Sequence, residues 1–174
     1  FVDDSVGGAS IVDLNSDRFL YILVARGEEG APFNNRIYAN DGNSNSWVTI
    51  KCNGTTSNRS AVGTRVKAKA TINGSPVWQM REIAQQNQFN GASILPVHFG
   101  FGNATIIDSL MIRWPSGTAE HFTNVVVNNY FAATEGQGIV VHVVPSPAAE
   151  MPDVFAVFQN YPNPFNPGTV VRFD

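Results

Sequence analysis

Apolar and polar residues alternate most cleanly over residues 65–72. Val66, Ala68, Ala70 and Ile72 fall on one side there, and Arg65, Lys67, Lys69 and Thr71 on the other. A period of two sustained over eight residues predicts a strand with one buried and one wetted face. Asn73-Gly74 follows, a pair suited to a tight hairpin loop, and residues 76–84 return as the second strand. The same reading predicts an opening strand over residues 47–52 that runs into Asn53-Gly54. Another strand spans residues 95–99 and ends at Gly100-Phe101-Gly102, and a further one spans 106–114. Pro115-Ser116-Gly117 then turns the chain into a return strand over 118–122. Trp47, Val66, Ala68, Ala70, Ile72, Leu110 and Ile112 are the core candidates. Trp114, immediately before its turn, is expected to be buried. The fold class is therefore all-β: an antiparallel sandwich or barrel-like central module of roughly seven to nine strands.

Composition narrows the function classes. With 43% hydrophobic residues, 12 Phe and 3 Trp among 174 residues, the chain can bury a core, while 15 Gly and 10 Pro supply turns throughout. A formal net charge of -3 gives no basic field, so nucleic acid is not the expected partner. No apolar run approaches the ~20 residues of a spanning helix. Cys52 is alone, so no internal disulfide is available. The chain opens inside a repeat-like segment and stops in an apparent strand, and is expected to be a piece of a longer protein.

Four segments are expected: 1–44, 45–144, a Pro-rich linker at 145–153 and a distinct start at 154–174. In the first, Asp13, Asn15 and Asp17 place oxygen donors at alternate positions between two apolar strands, a spacing that suits a calcium loop. An Asp/Asn turn closed by its own hydrogen bonds is the other reading, favoured by Arg18 at the sharp bend and Tyr21 where a last carboxylate is wanted. No cofactor is required, and calcium is the one candidate.

Five strings in the central segment occur in a fixed order: Ser57-Asn58-Arg59, Val62-Gly63-Thr64-Arg65-Val66, Gln79-Met80-Arg81-Glu82, His98-Phe99-Gly100-Phe101-Gly102 and Trp114-Pro115-Ser116-Gly117. Together they resemble the ASPIC/UnbV module, which usually follows FG-GAP (VCBS-type) propeller repeats in secreted proteins, including the cartilage acidic protein relatives. Residues 1–44 resemble the remnant of such a repeat, a partial β-propeller blade. No enzyme mechanism comes with the resemblance, and its motif residues read as fold-defining. Arg59 is expected either to pair with a carboxylate of the protein, Glu82 or Asp108, or to meet a ligand's carboxylate.

Catalytic constellations are not apparent. His98, His121 and His142 are scattered without metal spacing, and no nucleophile elbow is present. His98 among apolar residues reads as a hydrogen-bonded structural histidine, and Cys52 as a half-buried strand thiol. The Gly-x-Gly of residues 100–102 lacks the helix and third Gly of a nucleotide fingerprint.

In the last segment, Asn160-Tyr161-Pro162-Asn163-Pro164-Phe165-Asn166-Pro167 sets aromatic anchors among Pro/Asn turns. It resembles the opening of the C-terminal sorting domains of type IX (Por) secretion cargo, which are related to immunoglobulin-like domains. That resemblance implies a truncated domain here and, as partner, the type IX machinery. The expectation is thus a non-catalytic binding or adhesion region at the surface of, or secreted by, a Gram-negative bacterium, with carbohydrate or a surface protein as ligand. The accessory end of a large secreted enzyme and a purely structural propeller cap are the alternatives.

Overall fold

The structure, a computed structural model, describes residues 6–15, 17–26, 34–86 and 92–142. The linker at 145–153 and the sorting motif at 160–167 lie outside them. Among the described residues the chain forms eleven strands and no helix: β1 (Val6–Val12), β2 (Tyr21–Arg26), β3 (Arg36–Tyr38), β4 (Ser46–Asn53), β5 (Arg65–Ile72), β6 (Ser75–Glu82), β7 (Val97–Gly102), β8 (Ile106–Arg113), β9 (Ala119–Val126), β10 (Asn129–Thr134) and β11 (Gly138–Val141). Among the described residues no helix is long and apolar enough to cross a membrane, which says nothing of strand-built spans.

The predicted hairpin is present. Asn73 and Gly74 take φ of 49° and 79°, the left-handed pair that matches strand twist, and β5 and β6 pair in register from Arg65↔Glu82 to Ile72↔Ser75. Val66, Ala68 and Ala70 are fully buried, and Ile72 packs against the core from its margin. Nothing lies within 4 Å of where a Cβ of Gly74 would stand, so φ alone selects glycine there.

Three sheets result, with strand orders β1-β2-β3, β11-β10-β4-β7 and β6-β5-β8-β9. The two four-stranded sheets share one core. Val48, Ile50, Phe99, Phe101, Phe131 and Ala133 come from one sheet, and Val66, Ala68, Ala70, Ile107, Leu110 and Ile112 from the other. Alternation on each strand is what makes such a shared interior possible. None of these sheets closes into a barrel. The expectation of antiparallel pairing also needs correction at one place. β4 and β10 run parallel, from Val48↔Asn129 to Asn53↔Thr134. A parallel pair ends both strands at the same edge, so the loops after Asn53 and Thr134 emerge side by side.

Two further expectations are corrected. Trp47 is only half-buried, because it opens β4 beyond the core and stacks on His98 instead (centroids 6.1 Å apart, planes at 10°). The strand predicted from Leu95 and ending in Gly100-Phe101-Gly102 starts at Val97 instead and runs to Gly102, with Phe101 wholly buried. The first sheet lies in the same unit as the sandwich, Phe1–Val144. Arg18 reaches from it over the rings of Trp47 (6.0 Å) and Tyr130 (5.7 Å). Ile94 also donates its N–H to the carbonyl of Ile11.

Candidate functional site

Where the loops after β4 and β10 meet, one carboxylate holds them. Glu135 follows Thr134 at the end of β10 and is 4% exposed. Its N–H continues the parallel ladder to Asn53 O (3.0 Å). Its Oε2 accepts the backbone N–H groups of Thr55 (2.9 Å), Thr56 (2.9 Å) and Ser57 (2.7 Å). Oε1 accepts the hydroxyls of Ser57 (2.9 Å) and Ser116. The Ser116 N–H then donates to Ser57 Oγ (3.1 Å). Two of the five strings, Ser57-Asn58-Arg59 and Trp114-Pro115-Ser116-Gly117, are thus joined through a residue that belongs to neither. Burial alone would raise the Glu135 pKa. Hydrogen bonds from Ser116, from the Ser57 and Thr55 backbone and from the Ser57 hydroxyl outweigh it and hold the carboxyl down at about 2.

The rest of these strings serves the same turn. Asn58 closes the loop with its amide, donating to Val62 O (2.8 Å) and accepting from Val62 N (2.9 Å). The Gly54 N–H donates to Arg59 O (3.2 Å), and a Cβ on Gly54 would stand 2.2 Å from Asn58 O, so only glycine fits. Gly63 takes φ +93° beside Pro115. Trp114 is 2% exposed, which removes its indole from any sugar-stacking role. Its Nε1–H donates to Glu120 Oε2 (2.6 Å), whose other oxygen accepts the Gly138 N–H.

Arg59 departs from expectation. Glu82 is engaged by Arg65, with Nε 2.7 Å from Oε2, and Asp108 accepts the Thr71 hydroxyl. No ion pair involves the exposed Arg59 among the described residues; it lines a cleft instead. Arg81 lies over the ring of Phe99 at 5.1 Å, and Gly100 O accepts the amide of Gln79. Gly102 takes φ 54°, where a Cβ would come within 3.1 Å of Ile72. His98 Nδ1 is hydrogen-bonded to Thr49 Oγ1 (2.9 Å), and its pKa is lowered by burial and the nearby charge of Arg81, against the pull of Asp13. The thiol of Cys52 is more deeply buried than expected. Burial, then the charge of Glu120, pushes its pKa up to about 12, which favours the protonated thiol at neutral pH.

The acidic turn is closed by its own groups. Asp13 Oδ2 accepts from Arg18 N (3.1 Å), Asn15 Oδ1 from Asp17 N (3.2 Å) and Asp17 Oδ1 from Phe19 N (2.8 Å). Asn15 donates its amide to Asp17 Oδ2 (2.7 Å) and Tyr21 OH (3.1 Å). Arg18 takes φ 79°, a left-handed conformation that costs a non-glycine residue about 1–2 kcal/mol. Within this turn, Asp13 Oδ1 is buried without a hydrogen-bond partner. Two carboxylates and one amide are a sparse set for a cation that takes six to eight oxygens. Among the described residues no three acidic, His or Cys side chains gather as a metal cluster.

Two of the surface clefts adjoin these residues. One, of about 490 Å³, is lined by Lys51, Arg59, Ser60, Leu95, Pro96 and Tyr130 among others. The second, about 260 Å³, lies between Arg18, Asn43, Trp47 and His98. Sequence reasoning missed Glu135 and Glu120. The one available signal for Glu135 was an isolated acid between the apolar run 130–134 and two glycines, Gly136 and Gly138. Compared with known proteins, the chain matches the family model described as ASPIC and UnbV over residues 54–140, half its length. That span starts at the glycine of the Glu135 turn and ends in β11. No curated protein matches the chain.

Proposed function

The chain belongs to the ASPIC/UnbV family, and from that premise we propose that it is the non-catalytic binding or adhesion region of a secreted or cell-surface protein of a Gram-negative bacterium, exported through the type IX secretion system. The observation that supports this reading is the disposition of the family strings. Ser57, Asn58, Gly63, Trp114 and Ser116 hold turns around Glu135 and Glu120, so they build a platform and leave its outer surface free for a ligand. Residues 1–44 then stand as the end of an FG-GAP repeat, and residues 154–174 as the start of the sorting domain. One observation favours a second reading, the structural propeller cap: Arg18 and Ile11 tie the first sheet to the module directly.

Two deletions in the full-length parent test the proposal. Removing everything after Met151 is expected to leave the upstream modules folded and strand the protein in the periplasm, as read by cell fractionation. Removing residues 45–144 is expected to preserve export and abolish retention on cell-surface material. Export without the tail would remove the sorting assignment, and unchanged retention without the module would favour the cap.

Calcium belongs to the same reading only as a secondary matter. With Asn15 and Asp17 closing the turn and Tyr21 in place of a carboxylate, the loop acts as a structural turn. Calorimetric titration of the full-length protein with millimolar calcium is expected to give no heat. Saturable heat that disappears in Asp13→Asn would instead install the ion.

A further inference from the structure

The 490 Å³ cleft has the size of a small-ligand site and a single sign of charge. Among the described residues, its charged lining is Lys51 and Arg59 with no carboxylate, although the chain as a whole carries -3. Both cations have exposed side chains, and neither has an ion pair among the described residues. Arg59 belongs to the Ser57-Asn58-Arg59 string, yet the turn uses only its backbone carbonyl, which accepts the Gly54 N–H. The turn's own hydrogen bonds therefore leave the guanidinium available. Leu95 and Pro96 give the cleft an apolar part, and Tyr130, half-buried, lines it too. Burial raises its pKa, with Asp13 adding to the rise and Arg18 opposing it, so the phenol keeps its proton.

We infer that this cleft binds a carboxylated sugar of one to two rings, with Arg59 and Lys51 taking the carboxylate, Tyr130 and Ser60 the hydroxyls, and Leu95 and Pro96 the C–H face of a ring. The fork of a guanidinium matches a carboxylate in two parallel hydrogen bonds, which an uncharged sugar cannot offer. A phenol hydroxyl beside the apolar side chains of Leu95 and Pro96 suits the mixed polar and C–H surface of a pyranose. The inference rests on the binding reading proposed above and names its ligand class.

Isothermal titration of the 174-residue chain with digalacturonate, galactobiose and diglutamate tests it. Digalacturonate is expected to bind, and the neutral galactobiose at least roughly tenfold more weakly, since hydrogen bonds to charged groups carry about that factor or more. Arg59→Gln and Lys51→Gln are each expected to cut digalacturonate affinity about tenfold with unchanged melting curves. Lys67→Gln, on β5 in the other sheet, is expected to leave affinity as it was. The inference is overturned by no heat with digalacturonate, by equal binding of galactobiose, or by insensitivity to both cleft substitutions. Binding of diglutamate in place of digalacturonate overturns the sugar assignment. If these titrations fail while the module deletion still abolishes surface retention, the adhesion reading stands and only the cleft falls.

Discussion

Replacing Glu135 with alanine is expected to lower the thermal midpoint by on the order of 10 °C, more than any substitution on the wetted faces of the sheets. The carboxylate is the common acceptor for three backbone N–H groups and two hydroxyls. Alanine leaves those donors facing one another around a gap, and partly buried donors without acceptors are costly. Glu135→Gln separates charge from shape. Its amide oxygen can take the three backbone donors, while its NH2 can donate to the serine hydroxyls, so the turn is expected to persist with lower stability.

Acid dependence gives the sharper readout. The folded pKa of about 2 lies below the ordinary 4.5, so the folded protein holds this proton more weakly than the unfolded chain does. The stability Glu135 contributes is therefore complete above about pH 4.5, and it is lost as pH falls through about 2. The stability difference between the wild type and Glu135→Gln is expected to be flat from pH 7 to about 4.5 and to shrink below it, in urea unfolding at each pH. Parallel acid profiles, or an alanine variant that melts with the wild type, would remove Glu135 from its central place.

That place was illegible in the sequence for a physical reason. The β5–β6 hairpin declares itself locally: a period of two and an Asn-Gly pair fix strand, face and register within eighteen residues. Glu135 depends on a parallel pairing of β4 with β10, strands about eighty residues apart that no local turn connects. Residues 125–134 also run apolar through two asparagines without clean alternation, which hides the β9-to-β10 boundary. The five strings were legible as a group, but their role was not. Ser57 and Ser116 are ordinary turn residues until a third segment brings the carboxylate that binds both. Arg59 shows the reverse. Its chemistry alone points to a carboxylate partner, a ligand's or the protein's own, and the fold gives Glu82 to Arg65 instead. Residue type alone puts Trp47 in the core, whereas its position near the start of β4 sets it under Arg18 and against His98.

Trp114→Ala is expected to cost about 3–5 kcal/mol in urea unfolding with an unchanged slope, the range for emptying a large buried aromatic site. The ring is 2% exposed and belongs to the core shared by both sheets, so its removal leaves a void inside packed structure. A second contribution is polar. Removing the indole N–H takes from Glu120 Oε2 its 2.6 Å donor while Oε1 remains tied to Gly138 N. Trp114→Phe bears mainly on that contribution, because it deletes the donor while keeping most of the apolar volume. It is expected to cost roughly 1–3 kcal/mol. Glu120→Gln in the Trp114→Phe background then distinguishes the two effects: with the donor already gone, removing the charge is expected to recover part of the loss. If Trp114→Phe were as damaging as alanine, ring shape would dominate and the Glu120 bond would be incidental. If Trp114→Ala cost less than about 1 kcal/mol, far below the range for buried aromatics, the Trp-Pro-Ser-Gly turn would not anchor the module at all.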